Sequence, residues 1–262
     1  MSVLHRNNVR ITGSGDRPVI FAHGFGCDQN MWRLVHPAFE PRFKVVLFDH
    51  VGAGRSDLTA YRSDKYASLS GYAEDLIEIA RELELRDVIF VGHSVSAMIG
   101  VLASIRAPDV FESMVLVGPS PCYINDGDYV GGFTETEIEE LLDSLADNYM
   151  GWSAAMAPAI MGNPDRPELA EELTNSFCRT DPDIAKEFAR VTFTSDNRAD
   201  LPKVGARSLI LQCRDDVIAS EQVGRYVHDR LPQSQMTILN ATGHCPNLSA
   251  PKEVISAIDG FV

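Results

Sequence analysis

Two serines stand two positions apart in GHSVS, residues 92–96, where an apolar run gives way to a helical pattern. The wider stretch, DVIFVGHSVSAMIGVLASIRAP from Asp87 to Pro108, reads as a buried strand, a sharp turn and a helix that ends before Pro108. A serine on such a turn presents its hydroxyl at the C-terminal end of the strand, above the positive end of the helix. The turn is crowded, so the residues two before and two after it must be small. Gly92 meets that demand. Ser96 stands where the pattern G-x-S-x-G has its last glycine, and it is a small replacement. It falls in the first helical turn, where its hydroxyl is expected to be buried or bonded back to the chain. Ser94 is therefore the candidate nucleophile.

A serine hydroxyl attacks only when a base takes its proton, and the base needs an acid to orient it. His244, in NATGHCPNLSAP, follows a predicted strand on a loop able to carry an imidazole over the sheet edge. The acid is expected between the two in the chain. SLILQCRDDV offers Asp215 and Asp216, and periodicity does not choose between them. An oxyanion needs two fixed N–H donors, each lowering the barrier by roughly 2.7–4 kcal/mol. The backbone of Val95, just after the nucleophile, is one candidate. The backbone of Phe25, in the glycine-bearing loop after FAHGFG, is the other. His23 and His93 read as supports of these turns, His50 as part of a structural glycine-rich loop, and His5, His36 and His228 as surface or core-edge residues.

These groups need a frame. Pro18–Gly24, Phe43–His50, Asp87–Ser94, Ser113–Pro121, Ser208–Asp216 and Gln235–His244 are near-continuous apolar runs, as expected of parallel strands covered on both faces. Helical patterns alternate with them; in Leu69–Leu85, Tyr72, Leu76, Ile79 and Leu83 share one stripe. A right-handed, doubly wound α/β sheet follows, with VRITGSG pairing antiparallel at an edge. Between Ser120 and Asp200 the strand signal stops. The sequence there predicts helices broken by Pro158, Pro164, Pro167 and Pro182, with Asp181 capping the last, and a helical insertion rather than a separate domain.

The chain has 262 residues, enough for one α/β domain with an insertion, and a formal charge of −14 from 23 basic and 37 acidic side chains. That charge disfavours nucleic acid and anionic membrane as partners. The N-terminal MSVLHRNNVRITGSG shows no secretory pattern, and no apolar run approaches the roughly 18–20 residues of a membrane span. Five cysteines, odd in number and without C-x-x-C spacing, suit free thiols in a cytoplasmic protein and make a metal site improbable. The motifs for zinc proteases, P-loop NTPases and dinucleotide binding are absent, and no residue implies a cofactor.

FAHGFGCDQNMW, VLFDHVGAGRSDL, GHSVSAMIG, LVGPSPCYIND, FCRTDP, SLILQCRDDVIA and GHCPNLSAP together resemble the α/β-hydrolase superfamily over the whole chain. More narrowly they resemble the RsbQ-like bacterial stress-signalling hydrolases and the plant karrikin and strigolactone receptor hydrolases. The resemblance implies an α/β-hydrolase core at 1–120 and 201–262, with a four-helix lid at 121–200 over an apolar pocket. It carries the acid to the second aspartate, giving Ser94, Asp216 and His244 with oxyanion donors Phe25 and Val95. Phe25, Phe133, Trp152, Met156, Met161, Val191, Phe193, Val217 and Ile218 become candidate wall residues. The implied activity is hydrolysis of a small hydrophobic ester or lactone. The alternative it implies is a slow, ligand-responsive signalling hydrolase acting through a phosphatase partner.

Overall fold

Apolar runs buried on both faces become the interior strands of one sheet. Its strands are β1 (Arg10–Thr12), β2 (Arg17–Ala22), β3 (Phe43–Leu47), β4 (Val88–His93), β5 (Phe111–Val117), β6 (Arg207–Asp215) and β7 (Ser234–Thr242), in the order β1-β3-β2-β4-β5-β6-β7. Neighbours pair in parallel except β1, which runs antiparallel to β3 at the edge, Ile11 opposite Val46. The computed structural model describes residues 2–262; Met1, the first residue of the expected core segment 1–120, lies outside the described residues.

Side-chain alternation splits the strands' apolar residues between two layers. On one face Ile20, Val46, Phe90 and Leu116 pack against helices α2 (Leu69–Glu82) and α3 (Val95–Arg106). On the other, Val19, Val45, Ile89 and Val91 pack with Val254 and Ile258 of the C-terminal helix. Each such side chain, fully buried, contributes about 1.5–3 kcal/mol. Tyr72, Leu76 and Ile79 of the predicted stripe are buried, while Leu83 caps the end of α2 and is only partly covered. The remaining helices are α1 (Val3–Arg6), α4 (Glu135–Asp147), α5 (Tyr149–Met161), α6 (Pro167–Phe177), α7 (Pro182–Thr194), α8 (Glu221–Arg230), α9 (Pro246–Ser249) and α10 (Pro251–Asp259). Among the described residues no helix is long and apolar enough to cross a membrane.

Helices α4 to α7 all fall between β5 and β6 and form a third apolar cluster with the loops after β2, β6 and β7. Asp181 caps α7 as its sequence predicts: its carboxylate accepts the N–H groups of Asp183 and Ile184, and Pro182 opens the helix. Pro167 likewise opens α6. Pro158 departs from expectation. It sits inside α5 instead of ending it, because buried Ala157, Ile160 and Met161 hold the last turn by packing despite the lost N–H.

Candidate active site

The turn from β4 into α3 holds Ser94 at φ 57° and ψ −123°, a left-handed conformation that a side chain adopts only under constraint. The Ser94 N–H donates to the Val117 carbonyl at 2.8 Å, tying the turn to β5. At Gly92 the space is already taken: a Cβ there would lie 2.7 Å from the Ser96 carbonyl oxygen. Ser96 itself is fully buried. Its hydroxyl donates to the His23 carbonyl at 2.5 Å and accepts from His50 Nε2 at 2.7 Å. The hydroxyl that replaces the expected glycine thus fastens helix α3 to the loop after β2, and only Ser94 is left facing the cavity.

Ser94 Oγ lies 2.7 Å from His244 Nε2, and His244 Nδ1 lies 2.7 Å from Asp216 Oδ2. The loop after β7 delivers His244, whose backbone is held twice. Its N–H donates to the Ile160 carbonyl at the end of α5 (2.8 Å), and its carbonyl accepts from His93 Nε2 (2.7 Å). Asp216 follows β6 by one residue. Its Oδ1 accepts the backbone N–H groups of Ile218 (2.8 Å) and Ala219 (3.1 Å), which leaves Oδ2 for the imidazole. Asp215 is exposed, and its carbonyl accepts from the Gly243 N–H.

The neighbouring imidazoles are held by hydrogen bonds and by burial. His23 Nε2 accepts the His50 N–H at 3.1 Å, so the His23 proton sits on Nδ1 and is given to the Gly24 carbonyl. Burial, with His244 beside it, pushes His93 down to about 3. Burial next to His23 holds His50 well below the usual histidine range. A neutral His93 sets no positive charge beside His244 to oppose its taking the proton of Ser94. Phe25 and Val95 bring their amide groups to the same end of the sheet, and among the described residues neither N–H is bonded to another group of the chain. Gly24 passes so close that a Cβ there would lie 2.7 Å from His93 Nδ1 and 3.3 Å from Ser94 Cβ, so only glycine lets this loop approach the serine.

A cavity of about 40 Å³ opens above Ser94 and His244. Of the expected wall residues, Phe25, Trp152, Phe193 and Ile218 line it. Five do not. Val217 points to solvent, 62% exposed, because the turn closed by the Asp216 carboxylate gives the inward position to Ile218. Val191, one residue off the inward face of α7, packs against the sheet-side core and an outer groove. Met161 is buried beneath the catalytic loop, and Met156 and Phe133 cover the cluster from outside. Sequence reasoning missed Tyr123, Ile160, Leu173, Phe177, Thr192 and the thiols of Cys27 and Cys245. Leu173 and Phe177, four apart on α6, carried a helical-face signal. Tyr123 stands beside Ser94, and burial raises its hydroxyl to about 12, so it stays protonated. Burial likewise raises Cys27 to about 12 and holds Cys245 well above the usual thiol range, which leaves both as inert thiols. Among the described residues no three His, Cys, Asp or Glu side chains group to hold a metal ion.

The family described as "Alpha/beta hydrolase family" matches residues 19–257. The Karrikin insensitive 2 receptor CA of Petunia hybrida is 38% identical over 257 residues, covering 98% of this chain and 95% of the relative. The Strigolactone esterase D14 of Arabidopsis thaliana is 38% identical over 254 residues, covering 97% and 95%. Among solved structures, olei00960, a hydrolase from Oleispira antarctica, is similar with a TM-score of 0.96 and 43% identity, covering 99% of this chain and 95% of that one.

Proposed function

The chain belongs to the α/β-hydrolase family, and from that premise we propose that it hydrolyses small hydrophobic carboxylic esters or lactones through Ser94, His244 and Asp216. The observation that carries this reading is the relay of two 2.7 Å contacts from Ser94 through His244 to Asp216, ending on a serine held at positive φ. His244 Nε2 takes the serine proton as Oγ attacks the carbonyl, and Asp216 Oδ2 stabilises the imidazolium that forms. The N–H groups of Phe25 and Val95 hold the oxyanion. His244 then protonates the leaving alcohol, and the same base activates water to release the acid from Ser94.

The small, largely apolar cavity supports a compact acyl group over a polymer. In this reading helices α4–α7 act as the lid that excludes water during the reaction. Progress curves with a short 4-nitrophenyl ester test it: a sustained linear rate, abolished in a folded Ser94→Ala protein, is expected, and full activity in that variant refutes it.

One observation favours a second reading: a relative at 38% identity over nearly the whole chain bears the name of a receptor. Under it the protein would be a ligand-responsive switch acting on a partner, such as a regulatory phosphatase. A single stoichiometric burst followed by near-arrest supports the switch, and many turnovers per protein support the metabolic hydrolase.

A further inference from the structure

The loop that carries the Phe25 N–H is not held by the sheet alone. Gly24–Cys27 form a tight turn, with the Cys27 N–H on the Gly24 carbonyl at 3.3 Å and Gly26 at φ 67°. At the near end His23 Nδ1 also donates to the Gly24 carbonyl, at 2.8 Å. At the far corner the contacts come from α6. Phe177 lies so close over Gly26 that a Cβ there would stand 2.1 Å from its ring. The Ser176 hydroxyl, 5% exposed, donates to the Gly26 carbonyl at 2.9 Å from 150 residues along the chain, and it also faces the Cys27 thiol. That carbonyl has no other partner among the described residues. The hydroxyls of Ser153, Thr174 and Thr194 bond back to the carbonyl four residues earlier on their own helices, at 2.7, 2.9 and 2.7 Å. Ser176 reaches out of its helix instead. The Phe25 ring itself lies among Trp152, Phe177, Phe188 and Phe193, with centroids 5.7–6.2 Å away, all of them carried by α5, α6 and α7.

We infer that Ser176 is a positioning residue: its bond to the Gly26 carbonyl sets the direction of the turn, and with it the Phe25 N–H that receives the oxyanion. This rests on the hydrolase reading and goes one step past it, because α6 then completes the site as well as covering it. Ser176 does not line the cavity, so its role is not to touch substrate. A buried carbonyl left without its donor costs more than an ordinary bond gains, so without Ser176 the turn shifts to meet it. An N–H donor acts on developing charge only where it is already aimed, and a small displacement removes much of its effect. The ground-state ester carries little of that charge, so the loss falls on kcat and not on binding.

The test compares 4-nitrophenyl acetate with its thiono analogue, in which C=S replaces C=O, each rate normalised to hydroxide-catalysed hydrolysis of the same compound. Charge on the larger sulfur is poorly received by N–H donors placed for oxygen, so the oxygen-to-sulfur ratio of kcat/KM reads the oxyanion site. The wild type is expected to favour oxygen by about 100-fold, the worth of a fixed donor. In Ser176→Ala the ratio should fall about tenfold, with kcat lowered and KM within about twofold, as for a contact made in the transition state. Ser176→Cys, close in size but a weak donor, should fall in between, and it gives the reading if the alanine variant does not fold. Glu172→Gln removes the bond of the same helix to Arg33 (2.7 Å) without touching Gly26, and should keep the wild-type ratio. No oxygen preference in the wild type, an unchanged ratio in the Ser176 variants, or an equal fall in Glu172→Gln overturns the assignment. If the wild type releases no nitrophenol from either compound, even as a burst, the hydrolase reading fails. Amide hydrogen exchange over residues 24–28 then decides alone: faster exchange in Ser176→Ala supports the hold on the loop, and unchanged exchange overturns it.

Discussion

Replacing Asp216 by asparagine should cost about three to four orders of magnitude in kcat while leaving the fold intact. The reason lies in how the carboxylate is held. Oδ1 accepts two backbone N–H groups, from Ile218 and Ala219, and Oδ2 accepts from His244 Nδ1. An asparagine has one acceptor oxygen, and two backbone donors claim it. Its NH2 must then face His244 Nδ1, which becomes the acceptor, and the imidazole proton moves to Nε2. That proton points at Ser94 Oγ, so the base can no longer take a proton from it. Recovering the working tautomer requires flipping the amide, which turns NH2 towards both backbone donors. Each buried donor left unmet costs about 1–3 kcal/mol, and at about 2–3 kcal/mol apiece, the upper part of that range, the two together cost about 4–6 kcal/mol. At about 1.4 kcal/mol per decade that removes a factor of 10³–10⁴. Steady-state rates on a 4-nitrophenyl ester measure it, with circular dichroism as the control for folding. Asp215→Asn, at an exposed position, should stay within a few-fold of wild type. An Asp216→Asn protein within tenfold of wild type, or a larger loss in Asp215→Asn, refutes the reasoning.

Ser94→Gly should be inactive yet more stable than Ser94→Ala by about 1 kcal/mol, since glycine adopts φ 57° without strain; their thermal midpoints compare them directly. Ser96→Gly, which restores the G-x-S-x-G pattern, should destabilise by about 1–3 kcal/mol in urea, because it removes the donor to the His23 carbonyl and the acceptor for His50. A Ser96→Gly protein as stable as wild type would show that the hydroxyl does not fasten the loop. Stability should also fall with pH below the normal histidine range. His93 is held down at about 3 by burial beside His244, so the folded state binds its proton less readily than the unfolded chain. Its stabilising contribution is complete above about 6.5 and drains away as pH falls towards 3, about 2 kcal/mol being lost by pH 5. Urea midpoints between pH 7.5 and 5 read this, and a flat profile contradicts it.

The strands were plain from sequence because burial on both faces demands unbroken apolar runs, and the Ser94 turn because Gly92 and the strand-to-helix change surround it. The aspartates were not separable. Pairing between β6 and β7 shifts register between Cys213 and Asp215, so the alternation that would assign a face is lost before Asp216 is reached. The cavity wall was the least legible part. Helix α5 is apolar nearly all round, so nothing local favours Ile160, which lines the cavity, over Met156 or Met161, which do not. At Val191 and Thr192, hydrophobicity pointed the wrong way. The valine lies off the cavity and the threonine on it, because helix rotation is set by packing against the sheet.

The bond from the His244 N–H to the Ile160 carbonyl has a mechanical meaning. One of the two backbone anchors of the base belongs to a helix lying over the cavity, and the other, from His93, belongs to the sheet. The base is thus tied at once to the sheet and to the helices over the cavity, so a displacement of α5 would reach His244 through its own backbone.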